Sequence, residues 1–85
     1  MSDLNAKFEQ AGKDVQTLSK KPDNDTLLKL YSIFKQGSVG DVTGKRPGLT
    51  DFKGRAKYDA WAKLQGTPQD KAKQDYIDLV AKLKG

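Results

Sequence analysis

The chain has 85 residues, enough for one domain, with 35% hydrophobic and 32% charged residues. Because it contains no cysteine and no histidine, a disulfide framework, a thiolate nucleophile and a histidine-based catalytic or zinc site are excluded. The net charge of +5 favours an anionic partner, such as a phosphorylated small molecule, nucleic acid or an acidic membrane surface.

Two amphipathic helices are predicted in the first half of the chain. Apolar residues recur at helical spacing over residues 4–18, and Pro22 marks the break after this first helix. Asp23 or Asn24 is expected to cap a second helix over about residues 25–36. This second helix carries more apolar surface than one core-facing stripe needs, so we expect two of its faces to be covered.

A glycine-rich loop is predicted over residues 37–53, with four glycines and one proline. Structureless loops longer than about 12–15 residues are uncommon in compact domains and are more often functional. A third helix is predicted over residues 54–65, with Lys57, Trp61 and Leu64 along one side. Trp61 is expected in the core, with a hydrogen-bond partner for its indole N–H.

The sequence GTPQD predicts the boundary between the third and fourth helices. Gly66 can end one helix, Thr67 can cap the next, and Pro68 can take the first helical position. Apolar residues recur from Ala72 to Leu83 and predict the fourth helix. Four helices without a strand signal predict an all-α four-helix bundle, with a long loop between the second and third helices.

A tyrosine and a lysine share a face of the second helix, at Tyr31 and Lys35. Taken alone, such a pair is more often a core tyrosine beside a solvated lysine. Lys53 and Lys57 repeat the four-residue spacing at the start of the third helix, and a hydroxyl with several ammonium groups can converge on a phosphate. Since Tyr31 can also support a purine ring by stacking, this set indicates a phosphorylated nucleotide.

Three other functions stay open at this point: a DNA-binding helical module, a peripheral protein on anionic lipid, and an enzyme. DNA binding is disfavoured because Arg46 and Arg55 are the only arginines, and arginine is the usual reader of guanine edges. An enzyme is disfavoured because no nucleophile–base pair can be drawn. Asp41, Asp51 and Asp59 are therefore expected to act as caps, loop anchors or ion-pair partners.

Several motifs, in order along the chain, resemble the acyl-CoA-binding protein family. They are LYSIFKQGSVGD at residues 30–41, RPG at 46–48, DFKGRAKYDAW at 51–61, GT at 66–67 and YID at 76–78. The resemblance covers nearly the whole chain and implies one acyl-CoA-binding domain over residues 1–85, folded as an up-down-down-up bundle. It implies a carrier and pool former that binds long-chain fatty acyl-CoA esters non-covalently, without catalysis, metal or cofactor.

The resemblance also implies which residues contact the ligand. The tyrosine and lysines of the second and third helices would hold the 3′-phosphate and adenine of CoA. Tyr76 would contact the CoA head group, and apolar residues would line an acyl groove. The complete expected set is Gln16, Leu27, Leu28, Tyr31, Ser32, Ile33, Phe34, Lys35, Lys53, Ala56, Lys57 and Tyr76.

The chain departs from the family pattern at four positions. Gln16 stands where a lysine is common, Tyr58 where a tryptophan is frequent, and Phe34 where a second tyrosine is frequent. Gly12 stands where alanine is usual at the contact between the first and fourth helices. None of these changes touches the central tyrosine and lysines, so we expect them to affect affinity and stability rather than function.

The expected partner is long-chain acyl-CoA rather than nucleic acid, with transient contact with membranes or acyl-CoA-using enzymes as a further option. The opening residues, MSDLNAKFEQ, do not look like a signal peptide, and no apolar run approaches the roughly 20 residues of a membrane span. The expected location is therefore the cytoplasm. A monomer is expected, because no second apolar face is left over once the groove is occupied.

Overall fold

The computed structural model describes residues 2–85, and these form four α-helices with no β-strand among them. The helices are α1 (Ser2–Asp14), α2 (Asn24–Ser38), α3 (Phe52–Ala62) and α4 (Gln69–Lys84), and a 3₁₀ turn (Val15–Thr17) follows α1. The predicted all-α class is confirmed. No helix in this part of the chain has the length and apolar content required to cross a bilayer.

The start of α2 agrees with the predicted cap. Asp23 is its N-cap, and the carboxylate accepts a hydrogen bond from the Thr26 backbone N–H at 2.8 Å. This bond satisfies one of the backbone donors that the first turn of a helix leaves unpaired. Hydrogen bonding from Thr26 also lowers the pKa of Asp23.

The end of α2 lies two residues beyond its predicted end, so the α2–α3 loop spans residues 39–51 rather than 37–53. Gly37 is buried in the last turn of α2. A Cβ at this position would lie 3.1 Å from Cζ of Phe8 and 3.2 Å from Cγ of Lys73. Gly37 therefore allows α1 and α4 to approach α2 closely instead of ending the helix.

The boundaries of α3 and α4 also differ from the prediction. α3 begins at Phe52 because Asp51 is its N-cap and accepts a hydrogen bond from the Gly54 N–H at 3.0 Å. Gly66 has a φ of +92° and lies in the turn that follows α3. The prediction that Thr67 caps α4 is wrong: the N-cap is Pro68, whose extended backbone (φ −59°, ψ 144°) delays the first helical residue to position 69.

The α2–α3 loop is fastened to α3 by three side chains. The indole Nε1–H of buried Trp61 donates to the Gly40 carbonyl at 2.8 Å, and the Tyr58 hydroxyl donates to the Gly44 carbonyl at 3.0 Å. Arg46 donates to both carboxylate oxygens of Asp59, at 2.8 and 2.7 Å. The expected partner for the indole N–H and the expected ion-pair role of Asp59 are both confirmed.

Asp41 connects the start of this loop to the turn between α3 and α4. Its carboxylate accepts hydrogen bonds from the Gly66 N–H at 2.8 Å and from Nε2 of Gln36 at 2.9 Å, and these bonds lower the pKa of Asp41. Nε2 of fully buried Gln36 also donates to the Thr67 carbonyl at 2.8 Å. Asp41 is thus a loop anchor, as predicted.

The core lies between α1, α2 and α4. α2 packs against both α3 and α4, and α4 also packs against α1. The long α2–α3 connection and these pairings agree with the expected up-down-down-up order. The buried cluster consists of Phe8, Ala11, Leu30, Ile33, Ala72, Tyr76 and Val80.

Candidate functional site

A groove of about 780 Å³ opens between α1, α2 and α4. Its walls are largely apolar and aromatic, and its rim is polar, which is typical of sites for small organic ligands. The walls contain Phe8, Gly12, Val15, Leu30, Tyr31, Phe34, Gly37 and Tyr76, and the rim contains Asn5, Glu9, Lys13, Gln16, Ser38 and Lys73.

Three aromatic side chains meet in the groove, one from each helix. The rings of Phe8 and Phe34 are stacked, with centroids 5.2 Å apart and an interplanar angle of 21°. Tyr76 meets Phe8 edge-on at 5.4 Å and Phe34 at 5.5 Å, distances at which aromatic pairs attract one another. Phe34 remains 38% exposed, so one part of this cluster faces solvent and can receive a planar ring.

Tyr76 is buried in the groove, at 4% exposure. Burial raises the pKa of its phenol above the ordinary value of 10.0, so the hydroxyl is protonated at neutral pH and can donate a hydrogen bond. Since Tyr76 lines the groove, its contact with a CoA head group stays a prediction that this placement permits.

Two cation–aromatic contacts join α2 to α3. Nζ of Lys57 lies 5.3 Å from the ring centroid of Tyr31, and Nζ of Lys35 lies 5.0 Å from that of Trp61. Both pairs fall within the range at which a ring face attracts a cation. Because Tyr31 and Lys35 are one turn apart on α2, and Lys57 and Trp61 one turn apart on α3, the two contacts lie side by side.

Neither of these lysines belongs to an ion pair within residues 2–85. Lys57 is exposed and Lys35 is half-buried, so their charges face the surface without a carboxylate to compensate them. Lys53 is exposed in the first turn of α3, one turn before Lys57. This side of the molecule can therefore receive an anion.

Tyr31 belongs to both parts of the site, because it lines the groove and also carries Lys57 over its ring. Gln16, Phe34 and Tyr76 lie with it in the groove. Three apolar residues of the expected set lie elsewhere on α2 and α3, each half-buried: Leu27, Leu28 and Ala56. The structure thus has a groove and a separate lysine-bearing surface, with Tyr31 between them.

Ser32 and Ile33 do not reach the groove. Both are buried on another side of α2, where they line a second cavity of about 480 Å³ with residues of α4. The Ser32 hydroxyl donates to the Lys29 carbonyl of its own helix at 2.9 Å. Because each helical residue turns about 100° from the last, these two neighbours of Tyr31 lie on another side of α2, and their contact with ligand stays a prediction.

Two features of the groove were not foreseen from the sequence. Lys73 donates to Oδ1 of Asn5 at 2.6 Å, a polar contact at the rim that joins α4 to α1. Its position three residues before Tyr76 on α4 is the sequence signal that could have found it. Gly12 does not mediate the expected α1–α4 contact: a Cβ there would meet Cε1 of Phe34 at 3.7 Å.

The three aspartates considered in the sequence have structural roles. Asp41, Asp51 and Asp59 serve as loop anchor, helix cap and ion-pair partner, in agreement with the sequence-based expectation. Within residues 2–85, no group of three or more acidic side chains is placed to hold a metal ion.

The chain matches the family model for acyl CoA binding protein over residues 5–80. It is 49% identical over 76 residues to acyl-CoA-binding protein homolog 1 of Caenorhabditis elegans, covering 89% of this chain and 88% of that protein. It is 43% identical over 76 residues to enoyl-CoA delta isomerase 2 of Rattus norvegicus, but covers 19% of that protein. The crystal structure of Oryza sativa acyl-CoA-binding protein 2 superimposes with a TM-score of 0.89, at 39% identity, covering 94% of this chain and 87% of that one.

Proposed function

Because this chain belongs to the acyl-CoA-binding protein family, we propose that it binds long-chain fatty acyl-CoA esters and carries them without chemical change. The observation that supports this most directly is that Tyr31 belongs to both the groove and the lysine-bearing surface. It lines the aromatic groove, and Nζ of Lys57 lies 5.3 Å from its ring centroid. A ligand with a planar ring next to a phosphate, as in the adenosine 3′-phosphate part of CoA, can engage both features.

In this proposal, the lysines bind the phosphate. Lys35 and Lys57 supply ammonium donors that form no ion pair with the described residues 2–85. Tyr31 supplies a hydroxyl, and Lys53 adds positive charge one turn from Lys57. Charge-assisted hydrogen bonds to phosphate are stronger than neutral ones, so this group fixes the orientation of CoA and selects CoA esters over free fatty acids.

The aromatic residues bind the base. Phe34 is 38% exposed in the groove beside Tyr31, and an adenine ring can lie against such aromatic surfaces. Tyr76 lies deeper in the groove and carries a protonated hydroxyl that can donate to a polar group of the ligand.

The acyl chain is proposed to cover the half-buried apolar residues Leu27, Leu28 and Ala56. Each methylene removed from water contributes about 0.8 kcal/mol, so ten buried methylenes contribute about 8 kcal/mol before ordering costs. Chain length should therefore dominate affinity, while the phosphate decides which class of molecule is bound.

The proposal involves no catalysis and no cofactor, although the isomerase relative shows that a related segment also occurs within an enzyme. The working form is proposed to be a cytoplasmic monomer that meets membranes or acyl-CoA-using enzymes only transiently. Size-exclusion chromatography and cell fractionation test the oligomeric state and the compartment.

Calorimetric titration with palmitoyl-CoA, free CoA and palmitate in parallel tests the function. We expect tight one-to-one binding of palmitoyl-CoA, weak binding of CoA and little binding of palmitate. Absence of palmitoyl-CoA binding by folded protein would contradict the proposal. Duplex DNA would then be the next titrant, because nucleic acid is another anionic partner that the positive charge favours.

A further inference from the structure

A lysine lies on the rim of the aromatic groove with an amide, rather than a carboxylate, as its partner. Lys73 is half-buried on α4 and, with Tyr76 one turn later, lines the groove. Its Nζ donates to Oδ1 of Asn5 at 2.6 Å and belongs to no ion pair within residues 2–85. Because an amide oxygen carries no formal charge and an ammonium group has three donors, Lys73 keeps its charge and further donors for a ligand in the groove.

The side chain of Lys73 is held in place along its stem and at its end. Its Cγ packs beside Gly37 of α2, where a Cβ would lie only 3.2 Å away. Its Nζ is held at α1 by Asn5. A mobile lysine side chain loses conformational entropy when a ligand fixes it, and this loss is smaller for a side chain that is already ordered. The ammonium group of Lys73 is therefore well placed to bind an anionic group of a ligand.

The groove has a positive charge of its own. The charged residues that line it are one acidic residue, Glu9, and two basic residues, Lys13 and Lys73, a net charge of +1. Glu9 and Lys13 lie four residues apart on α1 and offset each other's charge, which leaves Lys73 as the source of the excess. This charge is separate from the lysine-bearing surface, so the groove can receive a second anionic group of the same ligand.

CoA contains such a second group. Its ribose carries the 3′-phosphate and, on the 5′ carbon, a diphosphate that leads to the pantetheine arm. With the 3′-phosphate at Lys57, the diphosphate requires donors of its own. We propose that Lys73, with the amide N–H groups of Asn5 beside it, binds the diphosphate of CoA. The inference rests on the proposed acyl-CoA function and adds to it two residues outside the expected set.

Calorimetric titration with palmitoyl-CoA and with its 3′-dephospho analogue tests the proposal. Lys73→Met removes the ammonium group and keeps an unbranched stem beside Gly37. We expect this variant to weaken both ligands by the same factor, about fivefold, since both carry the diphosphate and the contact stays near solvent. Lys57→Ala should weaken palmitoyl-CoA and leave the analogue almost unchanged, because the analogue lacks the phosphate that Lys57 is proposed to bind.

Two further variants make the test specific. Lys82→Met removes the same charge from α4, about 180° around the helix from Lys73, where Lys82 is exposed and belongs to no ion pair in the described chain. It should keep both affinities close to those of the parent chain. Lys73→Gln keeps a donor for Asn5 without the charge and should lose affinity as Lys73→Met does. Full affinity in Lys73→Gln would overturn the proposal, because the link between α4 and α1 would then matter instead of the charge.

Three other results would overturn the diphosphate assignment. A loss in Lys73→Met confined to palmitoyl-CoA would mean that Lys73 binds the 3′-phosphate. A loss that stayed constant as salt is raised would mean that the contact is not ionic. Folded Lys73→Met with the affinities of the parent chain would overturn the assignment and leave the carrier function intact. Failure of the folded parent chain to bind palmitoyl-CoA would overturn the carrier function and this inference together.

Discussion

At the residue scale, the site depends on charges left uncompensated and on rings left partly exposed. Lys57 and Lys35 contact the faces of Tyr31 and Trp61 instead of carboxylates. A cation–π contact at an exposed position is worth only about 0.5–1 kcal/mol, so it orients a lysine without competing strongly with an incoming phosphate. These contacts hold the two ammonium groups beside the proposed phosphate site, and their charge stays available to bind the phosphate.

Replacing Lys57 with alanine should weaken free CoA and palmitoyl-CoA by the same factor, about tenfold or more. The reason is that both ligands carry the phosphate, and a hydrogen bond to a charged group contributes about 1.5–3 kcal/mol. Calorimetry with free CoA and with palmitoyl-CoA measures the two factors. Lys63→Ala, at the C-terminal end of α3, is the control for an equal loss of charge.

The substitution Leu28→Ser should give the opposite pattern, weakening palmitoyl-CoA while leaving free CoA almost unchanged. If both variants lost the two ligands in equal proportion while still folded, the division between phosphate and acyl contacts would be wrong.

Tyr76 should make the fold sensitive to alkaline pH. Burial raises its pKa in the folded state, so its stabilising effect is complete below the unfolded value of 10.0 and is lost as pH rises through the folded pKa. Urea unfolding between about pH 9 and 12 should show a steeper loss of stability for the parent chain than for Tyr76→Phe. Identical pH slopes would mean that ionisation of Tyr76 does not contribute.

At the element scale, α2 determines the layout of the molecule because α3 and α4 both pack on it and the groove and the second cavity flank it. In its last turn, packing against other helices outweighs the tendency of glycine to end a helix. Gly37 is helical and buried, with Phe8 and Lys73 close against it, although glycine in a sequence usually marks a helix end.

Replacing each of the two glycines at the groove with alanine should have opposite effects on the stability of the fold. Gly12→Ala should stabilise the fold by about 1 kcal/mol, since helix propensity improves and the new Cβ meets only Phe34, at 3.7 Å. Gly37→Ala should cost about 1 kcal/mol, because overpacking outweighs the same gain in propensity. Phe8, whose Cζ would lie 3.1 Å from the new Cβ, cannot retreat easily from its stack on Phe34.

Thermal unfolding measures both changes, and about 1 kcal/mol corresponds to roughly 4–8 °C in a domain of this size. The explanation would fail if Gly37→Ala raised the melting temperature as much as Gly12→Ala. Ligand must be absent from both samples, because Gly12 and Gly37 line the groove.

Local rules predicted the helices well and the long-range contacts poorly. Periodicity located all four helices, and cap chemistry named Asp23 as one of two candidates. The position of Gly37 could not be predicted, since it depends on side chains 29 and 36 residues away. In the site, the ligand contacts that the resemblance implied for Ser32 and Ile33 stay predictions, and both residues line the second cavity instead of the groove.

At the scale of the whole molecule, the chain is a flat body whose Cα atoms span 37 × 31 × 15 Å. Cα atoms lie about 2.3 Å from a helix axis and packed helix axes are about 8–10 Å apart, so the smallest dimension corresponds to two layers of helices. Each helix therefore has one side near the surface. A ligand lying along the groove and the α2–α3 surface would therefore touch much of the fold at once.

Ligand binding should raise the thermal stability of the whole domain. Palmitoyl-CoA at a free concentration of about 100 times its Kd adds about 2.7 kcal/mol, which corresponds to roughly 10–20 °C here. Differential scanning calorimetry should show this shift for palmitoyl-CoA, a smaller one for free CoA at the same concentration, and none for palmitate. A palmitate shift as large as that of palmitoyl-CoA would contradict selection by the phosphate.

The pairing of helices also determines which amide hydrogens exchange with solvent water first. α2 is held on two sides, by α3 and by α4, whereas α3 packs chiefly against α2. Opening α3 breaks one helix interface, but opening α2 dismantles most of the fold. Amides of α3 should therefore exchange through partial opening, while those of α2 should exchange only when the whole chain unfolds. If so, α3, which carries Lys53 and Lys57, is also the part of the fold that can open while the rest stays folded.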